Sequence, residues 1–446
     1  MIETSNRPKV AIIGGGFTGL TAALRLAEAG YEVTVLESGA ELGGLAASFQ
    51  IGGEPLEKAY HHLFRTDVDI LQLADELGIS DRLEWLESSL AIYRDGRTWS
   101  FVTPLDLIRF SPCSLVGRIR LGIMALRIKY KTDWHDLVEL GALDWMRAHS
   151  GQSATRAVWE PLLRGKFSTQ AEEISMAWLW ARLHIRSNSR ESGGGKEKLG
   201  YIRGGFVRLV NALEVKLREA GVDILTSCRV NEIAGDGKRV RVSYQGDSVV
   251  YDAAIFTGSN RALAALLKCE SREAELLRKS LQRVHYLGAI CLVFQTSQKL
   301  GDFYWVNVSE PDAPFLVMIR HTKLVPAQRY GGKEVYYLGA YVSQDGRRFN
   351  SSNEDLEKEW FDYLQKMHPE FDRSCVESKQ MFRFCDAQHV VDCEYFSKIL
   401  PFETSLNGLF LANFTQVFPE DRGTNFAVRD GNKVASVVGE WLAKRQ

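Results

Sequence analysis

The chain has 446 residues, 45% hydrophobic and 25% charged, which excludes a disordered or collagen-like chain and supplies a core that needs no disulfide or metal staples. Lys and Arg number 55 against 56 Asp and Glu, a formal net charge of −1, which argues against nucleic acid as a bulk electrostatic partner. Seven cysteines with no Cys-x-x-Cys pair fit mostly buried thiols in a reducing compartment, and neither they nor the nine histidines show metal-ligand spacing.

The polar start Met1 to Lys9 carries no signal-peptide pattern, and no run reaches the ~18 apolar residues of a membrane span, so a cytoplasmic protein is expected, membrane-associated at most peripherally. Val10-Ala11-Ile12-Ile13 reads as a buried parallel strand. Gly14-Gly15-Gly16-Phe17-Thr18-Gly19 follows, then Leu20, Ala23, Leu24 and Ala27 at helical spacing up to Gly30, then a strand over Glu32 to Leu36 ending at Glu37 and Ser38. This order of strand, glycine turn, helix, strand and acid is the context a dinucleotide fingerprint requires. Gly14 permits the tight turn, Gly16 lets backbone approach a pyrophosphate, and Gly19 lets helix and strand pack closely. The helix N-terminus offers N–H groups to phosphate, and Glu37 suits a ribose hydroxyl.

Six residues past Glu37 stands Gly43-Gly44-Leu45. Leu105 to Arg190 is helical and aromatic in character, and Gly193-Gly194-Gly195 is expected to be a flexible loop. A helix follows Gly204-Gly205-Phe206, a strand covers Val222 to Leu225, a β meander runs from Val230 to Asp252, and a strand leads into Thr257-Gly258. Strand-like runs fill 281–345. Leu356, Trp360, Leu364 and Met367 share one face of a helix, and a final helix starts near Asn425.

These motifs together resemble the superfamily of FAD-containing amine oxidases, protoporphyrinogen oxidases, phytoene desaturases and UDP-galactopyranose mutase. The glycine turn, Gly43-Gly44, Val230 and the tail from Asp421 to Gly431 carry the resemblance, and Leu45 stands where many members have Arg. The resemblance implies an α/β architecture, with a Rossmann-type FAD-binding domain interleaved with an α+β substrate domain that carries a helical insert. The expected division is 1–62, 196–260 and 402–446 for FAD, and 63–195 and 261–401 for a small-molecule substrate. It implies FAD contacts at Gly14, Gly16, Phe17, Thr18, Gly19, Glu37, Ser38, Gly43, Gly44, Leu45, His61, His62, Val230, Thr257, Gly258, Thr424, Asn425 and Phe426. A helix N-terminus near Asn425 to Ala427 would stabilise negative charge on reduced flavin.

His62-Leu63-Phe64-Arg65-Thr66 is similar to the His-x-Phe-His-Thr run of the mutase, with Arg65 replacing the second His. That makes His62 the candidate catalytic residue, able to position substrate or move a proton. Trp159, Arg164 and Lys166 are candidates for an anionic or flat substrate, against a plain helix end packed on the core. The strand Gly288 to Phe294 has no Lys, where amine oxidases of the superfamily place one, so amine oxidation is disfavoured. The expected reaction is transfer of a hydride or two electrons from an organic substrate to flavin. The alternative is a mutase-like sugar isomerisation with no net redox. Leu107 to Lys131 carries six basic residues and no acid among apolar ones, the pattern of a basic amphipathic helix that can lie on anionic lipid.

Overall fold

In this computed structural model, which describes residues 7–188, 197–235, 237–268 and 271–445, the opening apolar run forms strand β1 (Lys9–Ile13), followed by helix α1 (Phe17–Glu28) and strand β2 (Glu32–Leu36). β1 is the middle of a five-stranded parallel sheet in the order Leu409–Leu411, Ala253–Phe256, β1, β2, Asp223–Leu225. Side chains alternate along each strand. Val10, Ile12, Val33 and Val35 therefore meet Leu20 and Leu24 of α1 and Val434 and Val438 of the last helix, Thr424–Ala443. Ala11, Ile13, Ala254 and Phe256 face the other way, on to Ile233, Val240 and Val242 of a three-stranded meander. Both faces are covered, which is why these strands read as unbroken apolar runs. The last helix crosses α1 closely because Gly431 has no side chain: a Cβ there would lie 2.7 Å from the Thr18 carbonyl oxygen.

A second sheet of seven strands is mostly antiparallel. Its order is Val376–His389, Tyr286–Thr296, Glu334–Val342, Val317–Arg320, Trp305–Val308, Leu90–Arg94, Arg97–Ser100. The expected helix appears as Asn353–Met367 and packs Leu356, Trp360 and Leu364 against this sheet. The helical insert includes Leu115–Tyr130, Ala142–Ser150, Glu160–Phe167 and Met176–Asn188, around a core of its own built on Trp178, Leu163 and Phe167.

Two sequence expectations change here. Leu107 to Lys131 is not one helix. Pro104–Arg109 ends before Pro112, and Leu115–Tyr130 begins afresh with the Ser114 hydroxyl accepting from the Gly117 amide. Of the described cysteines, Cys113, Cys228 and Cys291 are buried free thiols, while Cys375, Cys385 and Cys393 are wholly or partly exposed. The Gly193-Gly194-Gly195 loop lies outside the described residues. No helix among the described residues is long and apolar enough to cross a membrane, and they contain no cluster of metal-ligating side chains.

Candidate functional site

The glycine turn after β1 is packed to its backbone. Gly14 sits at φ +116°, and a Cβ there would fall 2.3 Å from Thr257 Oγ1. A Cβ on Gly19 would fall 2.0 Å from the Gly14 carbonyl oxygen, so Gly19 permits the close crossing of turn and helix. The Gly43-Gly44 stretch lies directly against this turn: the Gly43 amide donates to the Gly15 carbonyl at 2.8 Å, and a Cβ on Gly44 would lie 3.2 Å from Gly16 Cα. Glu37 fixes the arrangement, its carboxylate accepting from the Gly15 amide at 2.7 Å and the Gly39 amide at 2.6 Å.

These segments open on one cavity of about 600 Å³, within the range of cofactor sites. Gly14, Gly16, Phe17, Thr18, Glu37, Ser38, Gly43, Gly44, Leu45, His61, Val230, Thr257, Gly258, Thr424 and Phe426 all line it. Residues from the turn after β1, the meander and the last helix thus meet at one place, although they are hundreds of positions apart in the chain.

Three of the expected contacts do not line it: Gly19, Asn425 and His62. Gly19 acts through packing, as above. Asn425 is buried, and its side-chain oxygen accepts from the amides of Asp69 and Ile70 at 2.8 and 3.1 Å, which caps the helix Val68–Glu76. The Asp67 carboxylate before that helix is occupied with the Phe64 amide instead. His62 turns toward Phe64, Tyr304 and Trp305, and it is His61 that lines the cavity. His61 Nδ1 lies 2.7 Å from the Ala59 carbonyl. A carbonyl only accepts, so Nδ1 carries the proton and Nε2 is left as an acceptor. Burial lowers the His61 pKa to about 4 and the His62 pKa to about 3, so both imidazoles are neutral near pH 7.

Two helices start at this cavity without a side-chain cap. α1 follows Gly16 and the last helix follows Gly423, and neither has an acid in its first turn. Their leading N–H groups and positive dipole ends thus remain available to a ligand that carries negative charge at two separated places. This fits FAD, whose pyrophosphate and reduced pyrimidine ring are its two anionic parts.

Residues outside the expected contact set also line the cavity. Asn413 and Phe414 belong to a turn with an Asn-x-x-Gln capping box, in which the Asn413 amide donates to the Gln416 side chain at 2.9 Å. Asn413 Nδ2 also holds the Gly258 carbonyl at 2.7 Å. That spacing is a legible signal. Cys385 and Asp386 line the cavity from the long strand Val376–His389, where Asp386 sits at φ +49° and accepts from the Ser259 hydroxyl at 2.6 Å; nothing local announces them. Arg422 lines it next to the last helix and donates to the Tyr341 hydroxyl at 2.8 Å.

The sequence pattern of flavin containing amine oxidoreductases matches residues 17–390. The coproporphyrinogen III oxidase of Propionibacterium freudenreichii subsp. freudenreichii is 24% identical over 322 residues, 58% of this chain and 58% of that protein. The chain spans little more than half the length of the first curated relatives it matches. Among solved structures, cyclohexylamine oxidase from Brevibacterium oxydans IH-35A superposes with a TM-score of 0.73 at 14% identity, over 98% of this chain and 100% of that one. Reduced UDP-galactopyranose mutase superposes with a TM-score of 0.74 at 17% identity, over 97% and 96%. At such identities these likenesses concern the fold. The match over most of the chain, and a cavity that presents two uncapped helix ends and paired glycine backbones, lead to one conclusion: the chain belongs to the flavin containing amine oxidoreductase family, and its cofactor is FAD.

Proposed function

We propose that this protein is an FAD-dependent oxidoreductase that takes a hydride or two electrons from a C–H bond of a small organic molecule. The observation that carries this reading is the single cavity joining the glycine turn to the N-terminus of the last helix. In this reading residues 14–19 and 43–45 hold the pyrophosphate, Glu37 and Ser38 a ribose, Val230 the adenine, and Thr424 to Ala427 the flavin end. Bound FAD supplies the two-electron acceptor. The N–H groups of the last helix stabilise negative charge where it develops, and the neutral His61 offers Nε2 to orient substrate or accept a proton. Site assignment thereby moves from His62 to His61. Amines remain disfavoured, since the strand Tyr286–Thr296 carries no Lys.

The division into 1–62, 196–260 and 402–446 for FAD, and 63–195 and 261–401 for substrate, is part of the same proposal. It is supported by the parallel sheet drawing all its strands from the first set and the seven-stranded sheet from the second. Contact with an anionic lipid surface through 107–131 is proposed as well. Leu115, Val116, Ile119, Ile123, Leu126 and Tyr130 all face solvent, Ile119 with 65% exposure, beside Arg127 and Lys129. Failure to float with anionic vesicles at low salt would refute that contact.

The enzymatic reading is tested by anaerobic reduction of the purified holoprotein, followed by admission of air and a screen of quinones. Stoichiometric reoxidation by oxygen or a quinone supports an oxidase or dehydrogenase. Reduced flavin that no acceptor reoxidises, together with turnover of a nucleotide sugar, would refute it in favour of the mutase-like alternative.

A further inference from the structure

Behind Arg422 lies a group of charges that the FAD cradle does not use. Lys166, at the end of the helix Glu160–Phe167, is 5% exposed, and its ammonium lies 2.6 Å from Asp421 Oδ2. Arg182, from the helix Met176–Asn188, also donates to Asp421 Oδ2. Arg422 follows directly in the chain and reaches Tyr341, whose ring also lies 5.4 Å from the Lys166 ammonium. Tyr60 stands beside them, and its hydroxyl pKa is pushed well up by burial, with Tyr341 adding to the shift. The nearby His389 is neutral, its pKa lowered by burial to about 3.

The charge does not balance. Lys166 and Arg182 share the Asp421 carboxylate, Arg422 acts on it through space while its side chain bonds Tyr341, and among the described residues Asp421 is the one acid these three side chains hydrogen-bond. Burial alone would raise the Asp421 pKa, but Lys166, Arg182 and Arg422 outweigh it and drive it far below the usual range. Burial lowers the Lys166 pKa to about 7, Asp421 opposing that and Arg182 and Arg422 adding to it, so Lys166 carries only part of a positive charge near neutral pH and gains the rest when an anion enters. Excess buried positive charge is costly unless paired. Donors are also unspent here: Arg422 Nε and the indole N–H of Trp178, a fully buried ring 4.9 Å from the Lys166 ammonium, have no acceptor among the described residues. Arg164, the other cation considered for substrate, is spent on Glu160 and Glu172.

We infer that Lys166, Arg182 and Arg422 form an anchoring site for an anionic group of the substrate, a carboxylate or a phosphate, next to the end of the FAD cavity that Arg422 lines. The inference rests on the proposed oxidoreductase reading and narrows its substrate class to organic acids or phosphate esters. Arg422, which lines the cavity and donates to the Tyr341 hydroxyl behind it, presents the polar edge, and Lys166 and Arg182 supply the field that an entering anion neutralises. A cationic amine would meet the same charge as repulsion.

The test is titration of the oxidised holoprotein with benzoate, inorganic phosphate and benzylamine, followed by the flavin absorption spectrum. A saturable change with benzoate or phosphate and none with benzylamine is expected, and the anion that binds more tightly identifies the source. Arg182→Met and Lys166→Met should each weaken that anion tenfold or more while FAD content is kept. Lys166→Arg should restore binding and flatten its decline with rising pH. Arg182 is partly exposed, so Arg182→Met keeps the test in force should Lys166→Met not fold. Full FAD content with no anion response, unchanged affinity in the variants, or a preference for benzylamine overturns the inference. A chain that fails to bind FAD at all overturns the oxidoreductase reading beneath it, a separate and visible result.

Discussion

Glu57 ends the short strand Pro55–Glu57 with 1% of its surface exposed. Its two oxygens accept from the Phe206 amide at 2.6 Å and the Tyr201 hydroxyl at 2.9 Å, so it ties the strand that follows the Gly43-Gly44 stretch to the Gly204-Gly205 turn. Burial raises its pKa from 4.5 to about 7, with those two hydrogen bonds opposing the shift. A folded pKa above the unfolded one means that the native state holds the proton more tightly. The stabilisation is therefore fully present below the unfolded pKa and is lost as pH rises through about 7. Integrated between about pH 5 and about pH 8, the loss is about 2.5 kcal/mol. The buried histidines act in the opposite direction. His61, His62, His321 and His389 have pKa values lowered by burial to about 4, 3, 3 and 3, so folding gains from them as pH climbs toward the ordinary histidine value. The wild-type profile sums both trends, and only a difference isolates Glu57. Glu57→Gln imitates the protonated acid, since its amide oxygen can serve Phe206 and its amide nitrogen Tyr201. Urea unfolding of both proteins at the two pH values should show the wild type losing about 2.5 kcal/mol relative to the variant. Profiles that stay parallel within about 0.5 kcal/mol would refute the reasoning.

Gly19→Ala drives a methyl group into the Gly14 carbonyl and should cost about 1–3 kcal/mol together with the bound flavin, read as the flavin-to-protein absorbance ratio; retained FAD would contradict the close-packed turn. Asn425→Ala should lower stability by about 0.5–2 kcal/mol through the uncapped Val68–Glu76 helix and leave flavin content unchanged, so loss of flavin at unchanged stability would make Asn425 a ligand rather than a cap. His61→Ala should alter the flavin spectrum or the reductive rate more than His62→Ala does, and the reverse order would return the role to His62. Excess positive charge beside the flavin raises its reduction potential and a bound anion cancels that charge, so benzoate should lower the potential measured by spectroelectrochemistry; an unchanged or raised value would place the cations out of range.

What could be read in the sequence follows from how local each device is. The turn after β1 is built from consecutive residues whose backbone geometry dictates their type, so glycines and an acid at fixed spacing announce it. The histidine pair shows the limit of that logic. Tyr60 and His62 both meet Trp305, while His61 meets Phe206, as expected where neighbours in extended chain point to opposite sides. A motif match locates the segment, but choosing the side needs the strands it packs against. Asn425 fails for a similar reason: it stands inside a recognisable FAD motif, yet its partner helix begins at Val68, more than 350 positions earlier.

The charged wall is non-local in its entirety. Lys166 and Asp421 are 255 positions apart, and Arg182 and Asp421 are 239. Lys166 read alone is an ordinary basic residue near the end of a helix, where the dipole already favours a cation. Its meaning changes only when the fold brings Asp421 to it, because burial turns a common residue into a charge that needs a counterpart. The position of that counterpart matters. Asp421 and Arg422 directly precede Gly423, the cap of the helix whose first turn lines the cavity. One short segment thus connects the charged group carried by the insert helices with the helix end that lines the cavity. The ion pairs of Asp421 with Lys166 and Arg182 hold this segment, and under the proposed anchoring an entering anion would neutralise the positive charge that Asp421 leaves unbalanced. If the proposed anchoring holds, binding of the anion and placement of the helix terminus are set by one electrostatic arrangement, shared between segments of the chain 239 and 255 positions apart.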